Sequence, residues 1–226
     1  MSSVILTGAS RGLGWALTIA LHQRGDTLAV DARNGAVLHH AVAGLDRVIA
    51  VTGDVTDPAH RAELIGATSG PIDLIVNNAS RLGPSPQPAL AVYPLQALHE
   101  VYATNVLAPL ALVQLALPRL APGATIINIS SDAAVEPYPG WGGYGSSKAA
   151  LEQLTAILAA EHPELRVYAV DPGDMRTEMH QLAFPGEDIS DRPAPEDRVP
   201  GLLALIDGEW PSGRYTVDAL AAAVRA

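Results

Sequence analysis

Cysteine is absent from the chain, and this excludes disulfide bridges and thiolate-held metal while suiting a reducing cytosol. Positive charge is scarce as well. Fourteen Lys and Arg residues face twenty-four Asp and Glu residues, for a formal net charge of −10. No basic face can build a phosphate footprint from that balance, so neither a nucleic acid nor an anionic membrane surface is an expected partner. Long apolar runs are also missing. The run Val4-Ile5-Leu6 lacks the length and the basic flank of a signal peptide, and no uninterrupted apolar stretch approaches the roughly 20 residues of a membrane span. What remains is a cytoplasmic globular protein, with 226 residues to build one substantial core.

Short runs of Val, Ile, Leu and Ala recur at 4–7, 27–32, 48–52, 72–76, 125–129 and 166–170, with a late strand expected at 214–217. They lack strict alternation, as expected of strands covered on both faces of a parallel sheet. Helical patterns lie between them, at 12–24, 95–117 and 144–161 among others. This alternation implies an α/β fold, a Rossmann-type doubly wound parallel sheet with helices on both faces, as a single domain spanning 1–226. Two stretches have a different texture. Residues 81–88 hold three prolines, and 184–200 are acidic and proline-rich. Both read as surface loops framing a ligand crevice, with a short substrate lid at about 178–200.

The first strand runs into Thr7-Gly8-Ala9-Ser10-Arg11-Gly12-Leu13-Gly14 and then a helix. Glycines there let the backbone turn sharply and approach a pyrophosphate, and the new helix offers it free N–H groups. The spacing differs from G-x-G-x-x-G, and alone such a turn is weak evidence. Further elements follow in order: Asn77-Asn78-Ala79-Ser80 after the fourth strand, Asn105 in a long helix, Ser130-Ser131 after the fifth, Tyr144-Gly-Ser-Ser-Lys148, then Pro172-Gly173 and Thr177. The set resembles the short-chain dehydrogenase/reductase family over essentially residues 3–220. Ser80 departs from the glycine that the family carries there.

Tyr144 and Lys148 are spaced i, i+4 and share a helix face. A phenol titrates near pH ~10, and a neighbouring ammonium is expected to bring it closer to neutrality. The resemblance implies that Tyr144 exchanges a proton with substrate while hydride passes between the nicotinamide and a substrate carbon. It implies that Lys148 binds the ribose hydroxyls, and that the active serine, 13 residues before the tyrosine, is Ser131. Ser130 is then left to end the strand. Asn105 is implied to hold a helix distortion and a water continuing the proton path. The cofactor residues implied are Gly8, Ser10, Arg11, Gly12, Leu13 and Gly14 at the turn, Asp54 and Val55 beside the adenine, and Asn78 and Ala79. Tyr144, Lys148, Pro172, Gly173, Met175 and Thr177 complete that set. No metal is expected.

Cofactor preference is read past the second strand. In the family the discriminating acid lies 18 residues after the last glycine of the turn, which here is Ala32. Asp31 falls one position early and by alternation points to the other side. Arg33 stands where NADP-preferring members carry a cation, and Arg11 is a second. NADP(H) is therefore expected, with NAD(H) as the alternative.

The substrate pocket should be walled by 81–93, 132–143 and the segment after Thr177, with Glu136, Tyr138, Trp141, His180 and Phe184 as candidates. The short acidic lid points to a small carbonyl compound, and so to a carbonyl reductase. Two competing readings are a non-catalytic NADP(H)-binding or redox-sensing protein, which has no need of Ser131, Tyr144 and Lys148 together, and an extended-branch epimerase or dehydratase, whose turn and larger C-terminal lobe are missing. The resemblance further implies a homodimer or homotetramer through the helices at 95–117 and 144–161.

Overall fold

Seven strands lie side by side in the order β3-β2-β1-β4-β5-β6-β7, all parallel, in a computed structural model that describes residues 1–225. They are β1 (Ser3–Leu6), β2 (Thr27–Ala32), β3 (Val48–Thr52), β4 (Ile72–Asn77), β5 (Leu120–Ile129), β6 (Arg166–Asp171) and β7 (Gly213–Thr216). The order reverses at β1 and β4, whose carboxyl ends open the crevice where such sheets bind ligands. The expected fold class is the one observed.

Alternate residues of β1 divide the core. Val4 and Leu6 join Leu17 and Leu21 of α1 (Gly12–Gln23), and Leu202 and Leu205 of α8 (Val199–Asp207). Ile5 faces the opposite layer, with Leu64 of α3 (Pro58–Gly66) and Leu112 of α5 (Ala108–Ala116). All six of these β1 and α-layer anchors in the first layer, and Ile5 and Leu64 in the second, are essentially inaccessible to solvent. Apolar side chains on both faces explain why the strands show no polar alternation.

The helical stretch at 95–117 is not one α-helix. It divides into α4 (Leu95–Tyr102), a π-helical turn (Ala103–Leu107) and α5, and ends in a 3-10 turn (Leu117–Arg119). By length and mean hydropathy (1.5) the continuous stretch Leu95–Arg119 is apolar enough to cross a membrane, which corrects the expectation drawn from uninterrupted runs. Here Leu112, Val113 and Ala116 pack it against the sheet. The helix that carries Tyr144 and Lys148, α6 (Gly142–Glu161), begins two residues before Tyr144. Between β6 and α8 come the short α7 (Glu178–Ala183) and a 3-10 turn (Pro195–Arg198). The chain ends on α9 (Val217–Arg225).

Candidate active site

Two glycines make the turn after β1 possible. Gly8 has φ +74°, and a Cβ there would lie 2.9 Å from the backbone of Ala79. A Cβ on Gly14 would lie 2.2 Å from the carbonyl oxygen of Gly8. The start of α1 can therefore lie directly on the turn only because both side chains are absent. Asn78 locks the arrangement from β4, its Nδ2 donating to the carbonyls of Thr7 (2.9 Å) and Gly8 (3.1 Å). The Thr7 hydroxyl accepts the amides of Asn78 and Ala79. Asn78 is thus structural, tying the two strand ends that frame the crevice.

A cleft of about 1160 Å³ opens over these strand ends. Gly8, Ser10, Arg11, Gly12, Leu13, Ala32, Arg33, Val55, Asn78 and Ala79 line it on one side, together with Pro172, Gly173, Met175 and Thr177. Gly14 supports the turn from behind. One carboxylate oxygen of Asp54 accepts both the amide (2.9 Å) and the hydroxyl (2.8 Å) of Thr56. Burial pushes that carboxyl up, but these two bonds and Arg33 hold it below its ordinary value. Gly53 and Val55 meet the cleft instead. Arg33 is exposed and makes no ion pair among the described residues, whereas Arg11 is paired with Glu178 of α7. Glycines that a Cβ would close and a helix N-terminus form a cradle that fits a dinucleotide, with the Arg33 guanidinium beside it.

Asp31 lines the same cleft, but its side chain is engaged within the protein. Its carboxylate is buried, accepting the Gly8 amide (2.7 Å) and facing Nε2 of His60 (2.9 Å). His60 gave no signal in the sequence, because its partner lies 29 residues away on another element.

At the other end, Ser131, Tyr144 and Lys148 line the cleft together. Ser130 is turned aside, its hydroxyl donating to Glu152 (2.5 Å) and its amide continuing the β5–β6 ladder to Val170. The Ser131 hydroxyl donates to Asp132 (2.9 Å) and accepts the amide of Ala133 (3.2 Å). Lys148, the only lysine in the chain, is 2% exposed and donates to the carbonyl of Ile129 (2.7 Å), with Nζ 5.5 Å from the Tyr144 ring centroid.

The electrostatics run against the expected direction for Tyr144. Burial pushes its phenol above the ordinary value, and Asp171 and Asp132 add to this, while the hydroxyls of Ser80 and Ser131 pull it down. Burial also pushes the Lys148 ammonium down to about 8, with Glu152 opposing. A desolvated lysine facing a carbonyl is not the free ammonium that the spacing argument assumed. The phenol is left protonated at neutral pH.

Asn105 is buried in the π-helical turn, which is the expected helix distortion. Its carboxamide accepts from the Arg81 amide (2.8 Å) and Ser80 hydroxyl (3.2 Å) and donates to the Arg81 carbonyl (3.0 Å) and Ser147 hydroxyl (2.9 Å). Both acceptor positions and both N–H groups are used, so its side chain has no capacity left for the expected water. Ser80, the departure from the family pattern, thus faces both Asn105 and the phenol.

The substrate end is walled by Leu82, Trp141, Met179, His180 and Leu182. Trp141 packs edge-on against Tyr144 (5.9 Å between centroids) and at a tilt against Phe184 (5.6 Å), which in turn meets His180 (4.8 Å). Glu136 and Tyr138 are exposed; the Tyr138 hydroxyl donates to Asp132 (3.0 Å). Among the described residues no group of His, Asp and Glu could hold a metal.

A family model described as short chain dehydrogenase matches residues 2–188. Sepiapterin reductase of Mus musculus is 34% identical over 199 residues, covering 79% of this chain and 76% of the relative. The 2-(R)-hydroxypropyl-CoM dehydrogenase of Xanthobacter autotrophicus is 34% identical over 200 residues, 83% of this chain and 80% of the relative. Among solved structures, a short chain dehydrogenase from Shigella flexneri complexed with NADP superposes with a TM-score of 0.89 at 25% identity, covering 96% and 97% of the two chains.

Proposed function

The chain belongs to the short-chain dehydrogenase family and is an oxidoreductase, and on that premise we propose that it reduces a small carbonyl compound with NADPH, or oxidises the corresponding alcohol in reverse. The observation that carries this reading is the meeting of Ser131, Tyr144 and Lys148 at one end of a cleft whose other end is a dinucleotide cradle. A bound nicotinamide supplies the hydride that reaches the carbonyl carbon. Tyr144, held protonated by its burial, gives its proton to the carbonyl oxygen, and the Ser131 hydroxyl turns from Asp132 to the same oxygen as negative charge develops. Lys148 lies over the Tyr144 ring, and on cofactor binding its ammonium would turn from the Ile129 carbonyl to the ribose hydroxyls; Asn105 braces Ser80 and Ser147 behind the phenol.

NADPH is favoured over NADH because Arg33 is unpaired and the Asp31 side chain is engaged within the protein. The NADP-bound relative of similar fold supports the same choice. The segment 178–200 serves as the lid, with the Arg11–Glu178 pair joining it to the phosphate turn. The reading extends to a cytoplasmic homodimer or homotetramer, supported by exposed Leu95, Leu115 and Ile157 on α4, α5 and α6. The test is a panel of ketones, aldehydes and quinones mixed with NADPH or NADH and followed at the nicotinamide absorbance. Oxidation with NADPH well above that with NADH is expected. Nicotinamide binding with no turnover across the panel would favour a sensor.

A further inference from the structure

Two buried ionisable side chains have no part in the proton path. Asp31 and His60 are 1% and 4% exposed at their side chains, and their contact is 2.9 Å. Taking a carboxylate out of water costs several kcal/mol unless its oxygens are fully engaged. Here one oxygen accepts the Gly8 amide and the other faces the imidazole, so the pair is committed to a specific geometry. The imidazole also fixes a third segment. Gly53 lies directly on the ring: a Cβ there would sit 2.1 Å from Nδ1. Among the described residues the buried Nδ1 has no hydrogen-bond partner, and it packs against Gly53.

One side-chain pair therefore spans the phosphate turn through Gly8, the end of β2 through Asp31, and the loop after β3 through Gly53. Each of these three residues lines the same half of the cleft. We propose that Asp31 and His60 form a positioning pair for the adenosine half of the dinucleotide, holding the phosphate turn and the 53–55 loop at a fixed separation before the ligand arrives. The proposal rests on the reading of this cleft as a dinucleotide site. A preformed separation lowers the ordering cost of binding without adding any contact to the ligand. The role differs from that of Arg33, which acts on the 2′-phosphate alone.

The bond to Asp31 pushes His60 above its ordinary value against the effect of burial, and burial pushes Asp31 up. Asp57 and Glu63 on the side of α3 favour the same imidazole charge, and Asp54 disfavours the Asp31 carboxylate. These influences do not change which atoms the pair holds.

The test titrates NADPH, NADH and adenosine 2′,5′-bisphosphate onto the full chain by calorimetry, beside steady-state rates. His60→Ala is expected to weaken all three ligands by a similar factor of about tenfold, the consequence of losing a buried hydrogen-bond partner. kcat at saturating NADPH should stay within about twofold, and the NADPH-to-NADH preference should not move, because the reacting end is untouched. His60→Gln, whose amide N–H replaces Nε2–H, should recover most of the affinity. Failure of the parent protein to bind any of the three overturns the dinucleotide reading itself. Tight binding by the parent and by His60→Ala alike overturns only the role of the pair. A His60→Gln protein no better than His60→Ala, with both equally lowered in Tm, also overturns it and leaves a packing residue.

Discussion

The two ends of the cleft are built from different materials. The dinucleotide end is made of backbone: a glycine turn, a helix N-terminus and strand ends tied by Asn78, Thr7 and Asp31. The opposite end is made of side chains, with Trp141 and Met179 packed against the cluster that holds Tyr144, and Phe184 and His180 continuing the aromatic row beyond Trp141. Backbone geometry that only glycine permits admits little variation, whereas an aromatic wall can be recut one residue at a time. The comparison predicts that substitutions at the two ends separate cleanly into effects on cofactor affinity and effects on turnover or substrate choice.

The strongest test of that separation is Tyr144→Phe. Removing the proton donor should lower kcat by roughly 10²–10⁴ while NADPH affinity stays unchanged. Parallel loss of NADPH binding would break the division, and unchanged turnover would remove Tyr144 from the chemistry.

Lys148 straddles the two ends and offers a second test. Its pKa is about 8 in the folded chain against 10.5 as the ordinary value, so between those pH values the unfolded chain holds a proton that the folded chain has shed. Stability therefore rises with pH across that window, by no more than about 3 kcal/mol, because the cost of burying the charge is relieved. Lys148→Met should lack this rise in a comparison of Tm at pH 7.5 and 9.5. As the only lysine, Lys148 also gives a single side-chain amine signal by NMR, whose midpoint near 8 reads the same property directly. A midpoint near 10.5 would show an ammonium in contact with water and restore the simpler picture of a free cation beside the phenol.

How much of this was legible in the sequence follows the same division. The sheet, the glycine turn and the Tyr144–Lys148 spacing are local features, each set by residues within one turn or one strand, and they stand where the pattern put them. β5 begins at Leu120, five residues earlier than its apolar run, because Leu120 pairs with Ile72 before an irregularity in the ladder. The apolar periodicity of 95–117 does not show the π-helical turn; only the resemblance at Asn105 pointed to a distortion, whose partners Ser80, Arg81 and Ser147 lie on other elements. The electrostatic error at Tyr144 has a similar origin. Spacing places the ammonium on the same helix face but carries no information on burial, and burial decides the sign. The engagement of Asp31 with Gly8 and His60 likewise depends on long-range packing that the strand pattern does not carry.

Arg33→Ala sharpens the comparison within the dinucleotide end. The loss should fall on NADPH alone, by about tenfold or more in kcat/KM, with NADH little changed, since a charge-assisted bond to a phosphate contributes about 1.5–3 kcal/mol. Equal losses for both cofactors would assign Arg33 to shape rather than to charge, and would leave Arg11, already engaged with Glu178, as the remaining cation at the turn.

The smallest effect is expected at Trp141. Its ring contacts Tyr144 edge-on and Phe184 at a tilt and lines the cleft, so a planar carbonyl substrate would pack against it. Aromatic contacts of this kind contribute about 0.5–1.5 kcal/mol, which corresponds to a KM change of up to about tenfold. Trp141→Leu keeps the wall apolar while removing the ring face. KM should then rise for aryl ketones and hold for aliphatic ketones of the same size, with NADPH affinity unchanged. Equal shifts for both substrate sets would mean that Trp141 acts by filling space beside Tyr144. A shift in NADPH affinity would mean that the two ends of the cleft are coupled through α6, which carries Tyr144 and Lys148 on consecutive turns.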